Sequence, residues 1–275
     1  MVAYIELVAT TLSTDAKRVV KAQQRWAEAA GRPVNAAGSG LATRHDALFM
    51  DLPTDVAAQF EGAPGGELRK IHSFRSSSGL AVNVFLPWRS QPTPIAHLLG
   101  GGGSYDRLAF EAAHDTGISQ PYLDVLISGG NVTIAVESKF VEPYDDHDRS
   151  VFSDKYFGRD GLWKPFPELK PIALRFSKAD GCYERLDAAQ LLKHAMGLIN
   201  AYGRDGFELV YLWYEIEGSR ASQHRKDISE FTALTADVFP MRAVTYQDLF
   251  RDIKRLDEPS DGYLAYLADR YFGGA

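Results

Sequence analysis

The sequence predicts an α/β protein built around a central β-sheet, and three observations predict it. Residues 121–140, PYLDVLISGGNVTIAVESKF, hold two strand-like apolar runs, 122–127 and 132–140, on either side of a Ser128-Gly129-Gly130-Asn131 turn. Residues 207–214, FELVYLWY, form a continuous apolar run of strand-forming types, the pattern of a strand buried within a sheet. Around these runs lie segments with the spacing and end signals of helices.

Composition sets the frame. At 275 residues and 45% hydrophobic content the chain can bury a large core. We expect one domain, 1–275, with an N-terminal helical elaboration over about residues 1–66 that ends at the soft break Gly62-Ala63-Pro64-Gly65-Gly66. The formal charge of −6 argues against a protein that coats nucleic acid through bulk positive charge, and leaves room for a local basic groove. The single cysteine, Cys182, excludes an internal disulfide and a cysteine-based zinc cluster, and is expected to be a small buried side chain. No run of about 18 apolar residues is present. Residues 1–20 lack the basic start and apolar stretch of a signal peptide, so a cytoplasmic protein with no membrane partner is expected.

In chain order, residues 14–30 (TDAKRVVKAQQRWAEAA) read as an amphipathic helix capped by Thr14 or Asp15 and stopped by Gly31-Arg32-Pro33; its basic side, with Lys17, Arg18, Lys21 and Arg25, is expected to be a solvated face rather than a DNA contact. Residues 48–60 read as a short strand or turn and then a helix. Residues 67–88, ELRKIHSFRSSSGLAVNVFLPW, offer Arg69, Lys70, His72 and Arg75 for phosphate charge and Ser76, Ser77, Ser78 and Asn83 for hydrogen bonds to phosphates or bases. The competing reading of that stretch is a turn and a buried segment in which Asn83 satisfies local backbone groups. Residues 91–105, with four consecutive glycines, read as a flexible connection that lacks the P-loop pattern.

In the hairpin, the assumed turn pairs Ile127 with Val132 and puts Asp124 opposite Ala135. Glu137 then lies diagonal to Asp124 on one face, with Lys139 following on it, while Ile134, Val136, Ser138 and Phe140 point the other way into apolar packing. Diagonal neighbours sit roughly 7–8 Å apart, a gap that two carboxylates can bridge through one divalent cation. Glu111, 13 residues before Asp124, is a candidate third acidic group. Beyond the hairpin, Asp145-Asp146-His147-Asp148 has no regular ligand spacing and reads as a solvated acidic loop. Residues 186–202 predict a helix capped by Asp187 that sets Gln190 and His194 on one face, where they could orient a phosphate or support a metal site. Residues 222–238, 246–256 and 263–272 read as helices, and 243–246 as a short strand.

An acidic residue on a helix, Asp on a strand and Glu-x-Lys on a second strand resemble the PD-(D/E)xK nuclease superfamily. The resemblance runs through Arg25-Trp26, HSFRSSSGLAVNVF, FEAAHDTGISQPYLDVLI, VESKF, QLLKHAMGLINAY and TYQDLF, and is closer still to compact bacterial restriction-endonuclease-like proteins. It implies a restriction-endonuclease-like mixed central β-sheet flanked by α-helices. It also implies Mg²⁺-dependent hydrolysis of DNA phosphodiester bonds, with Mn²⁺ able to substitute and restriction or defence against foreign DNA as a setting. Asp124 and Glu137 would hold the cation, with the Ser138 carbonyl and Glu111 as further oxygens, Lys139 at the attacking water and Gln190 at the site. Leu123 stands where the motif has proline, with Pro121 three positions before Asp124; the chemistry needs the carboxylate, not the proline. Double-strand cutting would favour a symmetric homodimer. Two other readings compete: a non-catalytic DNA- or protein-binding module on the same fold, and a carboxylate-pair glycosidase. The second leaves Lys139 without a task.

Overall fold

Helix α1, Thr14–Ala29, begins where Ser13 Oγ accepts the Ala16 N–H at 3.0 Å, so the cap is Ser13 and not Thr14 or Asp15. The computed structural model describes residues 13–145 and 150–273. Helices α2 (Arg44–Ala47), α3 (Thr54–Gly62), α4 (Glu67–Lys70), α5 (Ser77–Phe85) and α6 (Thr93–Leu98) follow. Then come β1 (Arg107–Ala113), β2 (Tyr122–Ser128), β3 (Thr133–Lys139), α7 (Leu169–Arg175), α8 (Ala188–Tyr202), β4 (Phe207–Trp213), α9 (Ser219–Thr235), β5 (Met241–Thr245) and α10 (Tyr246–Ile253). Helix α11 (Tyr263–Leu267) runs into a π-helical turn, Ala268–Phe272. The 91–105 connection is more structured than its glycines suggest, since it contains α6, and β1 is a strand that sequence reading passes over.

The sheet is mixed, in the order β1-β2-β3-β4-β5. The β1–β2 and β2–β3 pairs are antiparallel, while β3–β4 and β4–β5 are parallel, joined through the α8 and α9 crossovers. This is the mixed sheet flanked by helices that the resemblance implies.

The hairpin register differs from the expected one. Val125 pairs with Val136, Leu126 with Ala135 and Ile127 with Ile134, a shift of two residues. The turn is therefore 129–132, one residue later than read. Gly129 carries the positive angle, φ 106°, and Gly130 is needed for a different reason. A β-carbon there would run into the Tyr105 ring, whose hydroxyl donates to the Val132 carbonyl at 2.9 Å. Because the shift is even, every side chain keeps its predicted face.

The sheet separates two cores. Val125, Ile127, Ile134, Val136, Val210 and Leu212 pack with α3, α5, α6, α10 and α11 on one side. Leu126, Ala135, Leu209, Tyr211 and Trp213 pack with α7, α8 and α9 on the other. Helix α5 is buried throughout residues 78–85, which explains why no polar face marks it in the sequence. Helix α1 meets the C-terminal turn where Gln23 Nε2 donates to the Arg270 carbonyl at 2.7 Å, and Arg270 lies over Trp26 at 4.7 Å. No helix among the described residues is long and apolar enough to cross a membrane.

Candidate active site

The α8 face of the sheet carries the acidic residues. Continuing the β2–β3 register by one residue puts Asp124 directly opposite Glu137, closer than the diagonal expected. On the other side, Phe110 pairs with Val125 and Ala112 with Leu123, so Glu111 falls opposite Asp124. Glu137 is paired in turn with Tyr211 on β4. Glu111, Asp124 and Glu137 thus form one row across three strands. Glu111 reaches it from β1, not from a helix. Its φ of 47° is left-handed, and it is the single non-glycine residue with positive φ among the described residues.

Lys139 and Glu137 form a nearly buried pair, 18% and 2% exposed, with Lys139 Nζ donating to Glu137 Oε1 at 2.6 Å. Lys139 also donates to Gln190 Oε1 at 2.9 Å. One turn along α8, His194 Nε2 lies 2.9 Å from Glu137 Oε2, without the alignment of a hydrogen bond. The cap of α8 is as predicted: Asp187 Oδ1 accepts the Gln190 N–H at 2.8 Å. Asp124 Oδ2 accepts the Ser138 N–H at 2.7 Å. The Ser138 side chain points to the opposite core, where its hydroxyl meets that of Tyr246 at 2.6 Å.

The charges in this row act on one another. Burial pushes Glu111 up to about 7, with Glu67 and Glu137 adding to the shift. Burial also pushes Asp124 well above the usual carboxylate range, with Glu137 adding and Lys139 only partly opposing. Burial acts on Glu137 in the same direction, but Lys139 and His194 outweigh it and bring that carboxyl down to about 2. For Lys139, burial works against the ammonium, and Glu137, Glu142 and Asp124 together hold it above its ordinary value.

The residues assigned to DNA fare unevenly. Asn83 is spent inside the protein: its Oδ1 accepts the Phe49 N–H at 2.7 Å, and its Nδ2 donates to the Ala47 carbonyl at 3.1 Å and to Tyr271 Oη at 2.9 Å. Ser76 caps α5 by accepting the Gly79 N–H at 2.9 Å, and Ser78 is buried beside Glu67. Ser77, in the first turn of α5, is partly exposed. Arg75 pairs with Asp145. Arg69 and Lys70 stay exposed on α4, with Lys70 3.1 Å from Glu67 Oε1. His72 is partly exposed. The rest of the expected acidic loop, 146–149, lies outside the described residues. Cys182 is partly buried.

Glu67 is the residue that sequence reading misses. It lies on α4 close enough to raise Glu111, which makes it the acidic residue that a helix brings near the row. Nothing in its sequence neighbourhood distinguishes it from a surface glutamate.

A family model described as a restriction endonuclease associating with ARP matches residues 44–272. The chain belongs to this family. No curated protein and no solved structure matches it. A restriction-endonuclease family agrees with the mixed sheet between helices, and its description names a nuclease. The span it matches contains the acidic row, Lys139 and α8.

Proposed function

We propose that this restriction-endonuclease-family protein is a PD-(D/E)xK nuclease that hydrolyses DNA phosphodiester bonds with Mg²⁺, or with Mn²⁺ in its place. The observation that carries the reading is the common face: Asp124 and Glu137 opposite one another on neighbouring strands, with Lys139 bonded to Glu137 two residues on.

No three carboxylate, imidazole or thiol groups among the described residues are gathered closely enough to hold an ion as they stand. The donor chemistry fits a hard cation nonetheless. Glu111, Asp124 and Glu137 repel one another in a half-buried row, and two of the three are driven towards the protonated form, the imbalance a divalent cation corrects. Asp124 and Glu137 would hold it, with Glu111 and the Ser138 carbonyl as further oxygens. When bound, the cation would polarise the phosphate and lower the pKa of its water. Glu137 would exchange one of its contacts, with Lys139 or with His194, for that role. Lys139 remains an ammonium, so its part is to orient the attacking water and offset charge at phosphorus, rather than to remove a proton. Gln190 keeps the ammonium in place. Arg69 and Lys70 are the exposed cations of the predicted DNA-contacting stretch, and double-strand cutting would pair two copies of the chain.

One observation favours the alternative of a non-catalytic binding module: Glu137 is already neutralised inside the chain by Lys139. A plasmid assay separates the two. The nuclease reading expects cleavage of supercoiled and phage DNA, methylated and unmethylated, with Mg²⁺ or Mn²⁺, none with EDTA, and a loss of about 10²-fold or more in Lys139→Ala. Wild-type protein that binds these DNAs and leaves them intact with both ions would favour the module.

A further inference from the structure

Helix α8 places two polar side chains, one turn apart, onto the two ends of the Glu137–Lys139 pair. Gln190 Oε1 receives Lys139 at 2.9 Å, and His194 Nε2 sits 2.9 Å from Glu137 Oε2. The spacing of four residues makes this a single rigid ruler. The ruler is seated firmly, because α8 crosses the end of β1 at Gly197, where a β-carbon would come within 2.7 Å of His114 Cβ. His194 is fully buried; its Nδ1 has no hydrogen-bond partner among the described residues, and its Nε2 has Glu137 Oε2 as its close neighbour. Glu137 Oε2 has no aligned hydrogen bond among the described residues, and His194 is its close polar contact. Nε2 and Oε2 thus meet as a close polar pair that lacks hydrogen-bond alignment, an arrangement that a small turn of the carboxylate would complete.

We propose that His194 is a positioning residue that aims Glu137, through Oε2, into the cation site. The inference rests on the metal-dependent reading above and deepens it. Glu137 can turn Oε1 away from Lys139 and towards an ion only if its other oxygen stays anchored. His194, on a helix whose register against the sheet is locked, supplies that anchor. Gln190 keeps Lys139 from following. A merely structural histidine would be exchangeable for any side chain that fills its volume. A positioning histidine must keep a nitrogen on Oε2.

The test uses the metal alone. Mn²⁺ uptake is followed by loss of the free-ion electron paramagnetic resonance signal in wild type, His194→Leu, His194→Gln and Asp124→Asn, with thermal melting alongside. We expect His194→Leu to fold and to bind Mn²⁺ about tenfold or more weakly. His194→Gln, which keeps an N–H donor, should return to within a few-fold of wild type. In cleavage, His194→Leu should need more Mg²⁺ for half-maximal rate yet recover the rate at saturating ion. A folded His194→Leu that binds Mn²⁺ as wild type does overturns the proposal. If His194→Leu does not fold, a folded His194→Gln that loses the ion as completely as Asp124→Asn overturns it instead. Wild type that takes up no Mn²⁺ defeats the metal-dependent reading and this one with it, whereas wild-type uptake with indifferent His194 variants defeats this one alone.

Discussion

Lys139→Met probes the site without presupposing catalysis. The substitution keeps the stem and removes the ammonium, leaving Glu137, 2% exposed, with His194 as its remaining contact and Gln190 Oε1 without its donor. The cost can be approached from two directions. Lys139 and His194 bring the Glu137 carboxyl to about 2 from 4.5, against its burial. At roughly 1.4 kcal/mol per pKa unit, that difference corresponds to about 3 kcal/mol of stability at neutral pH. Breaking a buried ion pair by removing one partner independently costs about 3–5 kcal/mol.

The sign of the pH dependence follows. A depressed carboxyl contributes stability that is present above the unfolded value of 4.5 and is lost as pH falls through about 2. Urea denaturation in EDTA at pH 7.5 should therefore show Lys139→Met about 3 kcal/mol less stable than wild type. For a domain of this size that is a fall of about 6–12 °C in Tm. The gap should narrow as the pH is lowered from 4.5 towards 2, because the protonated Glu137 no longer needs the ammonium. A gap below about 1 kcal/mol at pH 7.5, or one indifferent to pH, would show that Lys139 does not neutralise Glu137 and would remove the basis of the paired site.

Further outcomes can be checked with similar means. Asn83→Ala deletes a side chain that makes three hydrogen bonds within the protein, two of them buried, and should cost about 3 kcal/mol in chemical denaturation while leaving DNA retention in a gel-shift assay unchanged. Glu111 is protonated more readily folded than unfolded, so the metal-free protein should lose stability as pH rises from 4.5 to about 7 and stay level above; Glu111→Gln should flatten that slope in melting curves. Mg²⁺ at ten times its Kd should stabilise wild type by about 1.4 kcal/mol, a Tm gain of about 3–6 °C that Asp124→Asn should abolish.

How much of this was legible depended on what each segment shows to water. Helix α8 declares itself through Asp187 at its cap and an apolar face from Leu191 to Ile199, so the sequence alone puts Gln190 and His194 on one face. β4 was legible as an unbroken apolar run because it is buried on both faces. Helix α5 had no polar face to contrast with, and its serines looked like ligands when Ser76 is a cap. Asn83 could be read either way, since a side chain able to bond a base is equally able to bond backbone; burial decided for the interior. β1 was hidden by Glu111, whose left-handed backbone and partly buried acid break the expected alternation. The sequence alone puts the hairpin turn one residue early, because Gly129 and Gly130 read alike as positive-φ positions whereas Gly130 answers to the Tyr105 ring.

That misplacement was harmless for a physical reason, and the corrected register strengthens the site. A slip of one residue would have sent Glu137 and Lys139 to the opposite core; a slip of two exchanges a diagonal neighbour for a direct one on the same face. Directly opposed residues stand closer than diagonal ones, and Glu137 adds to the upward push on Asp124. The backbone bears the mark of it. The β2–β3 pairing stops at Val125 and Val136, and the Ser138 N–H, two residues on, turns to Asp124 Oδ2. On β1, the Phe110 N–H is taken by Gln59 Oε1 at 2.7 Å, and Glu111 beside it is left-handed. Regular pairing is thus given up on both sides of Asp124, in the row where three carboxylates meet. A sheet optimised for stability alone would place neither the charges nor the irregularities there, and their coincidence ties the strain in this fold to the chemistry of its site.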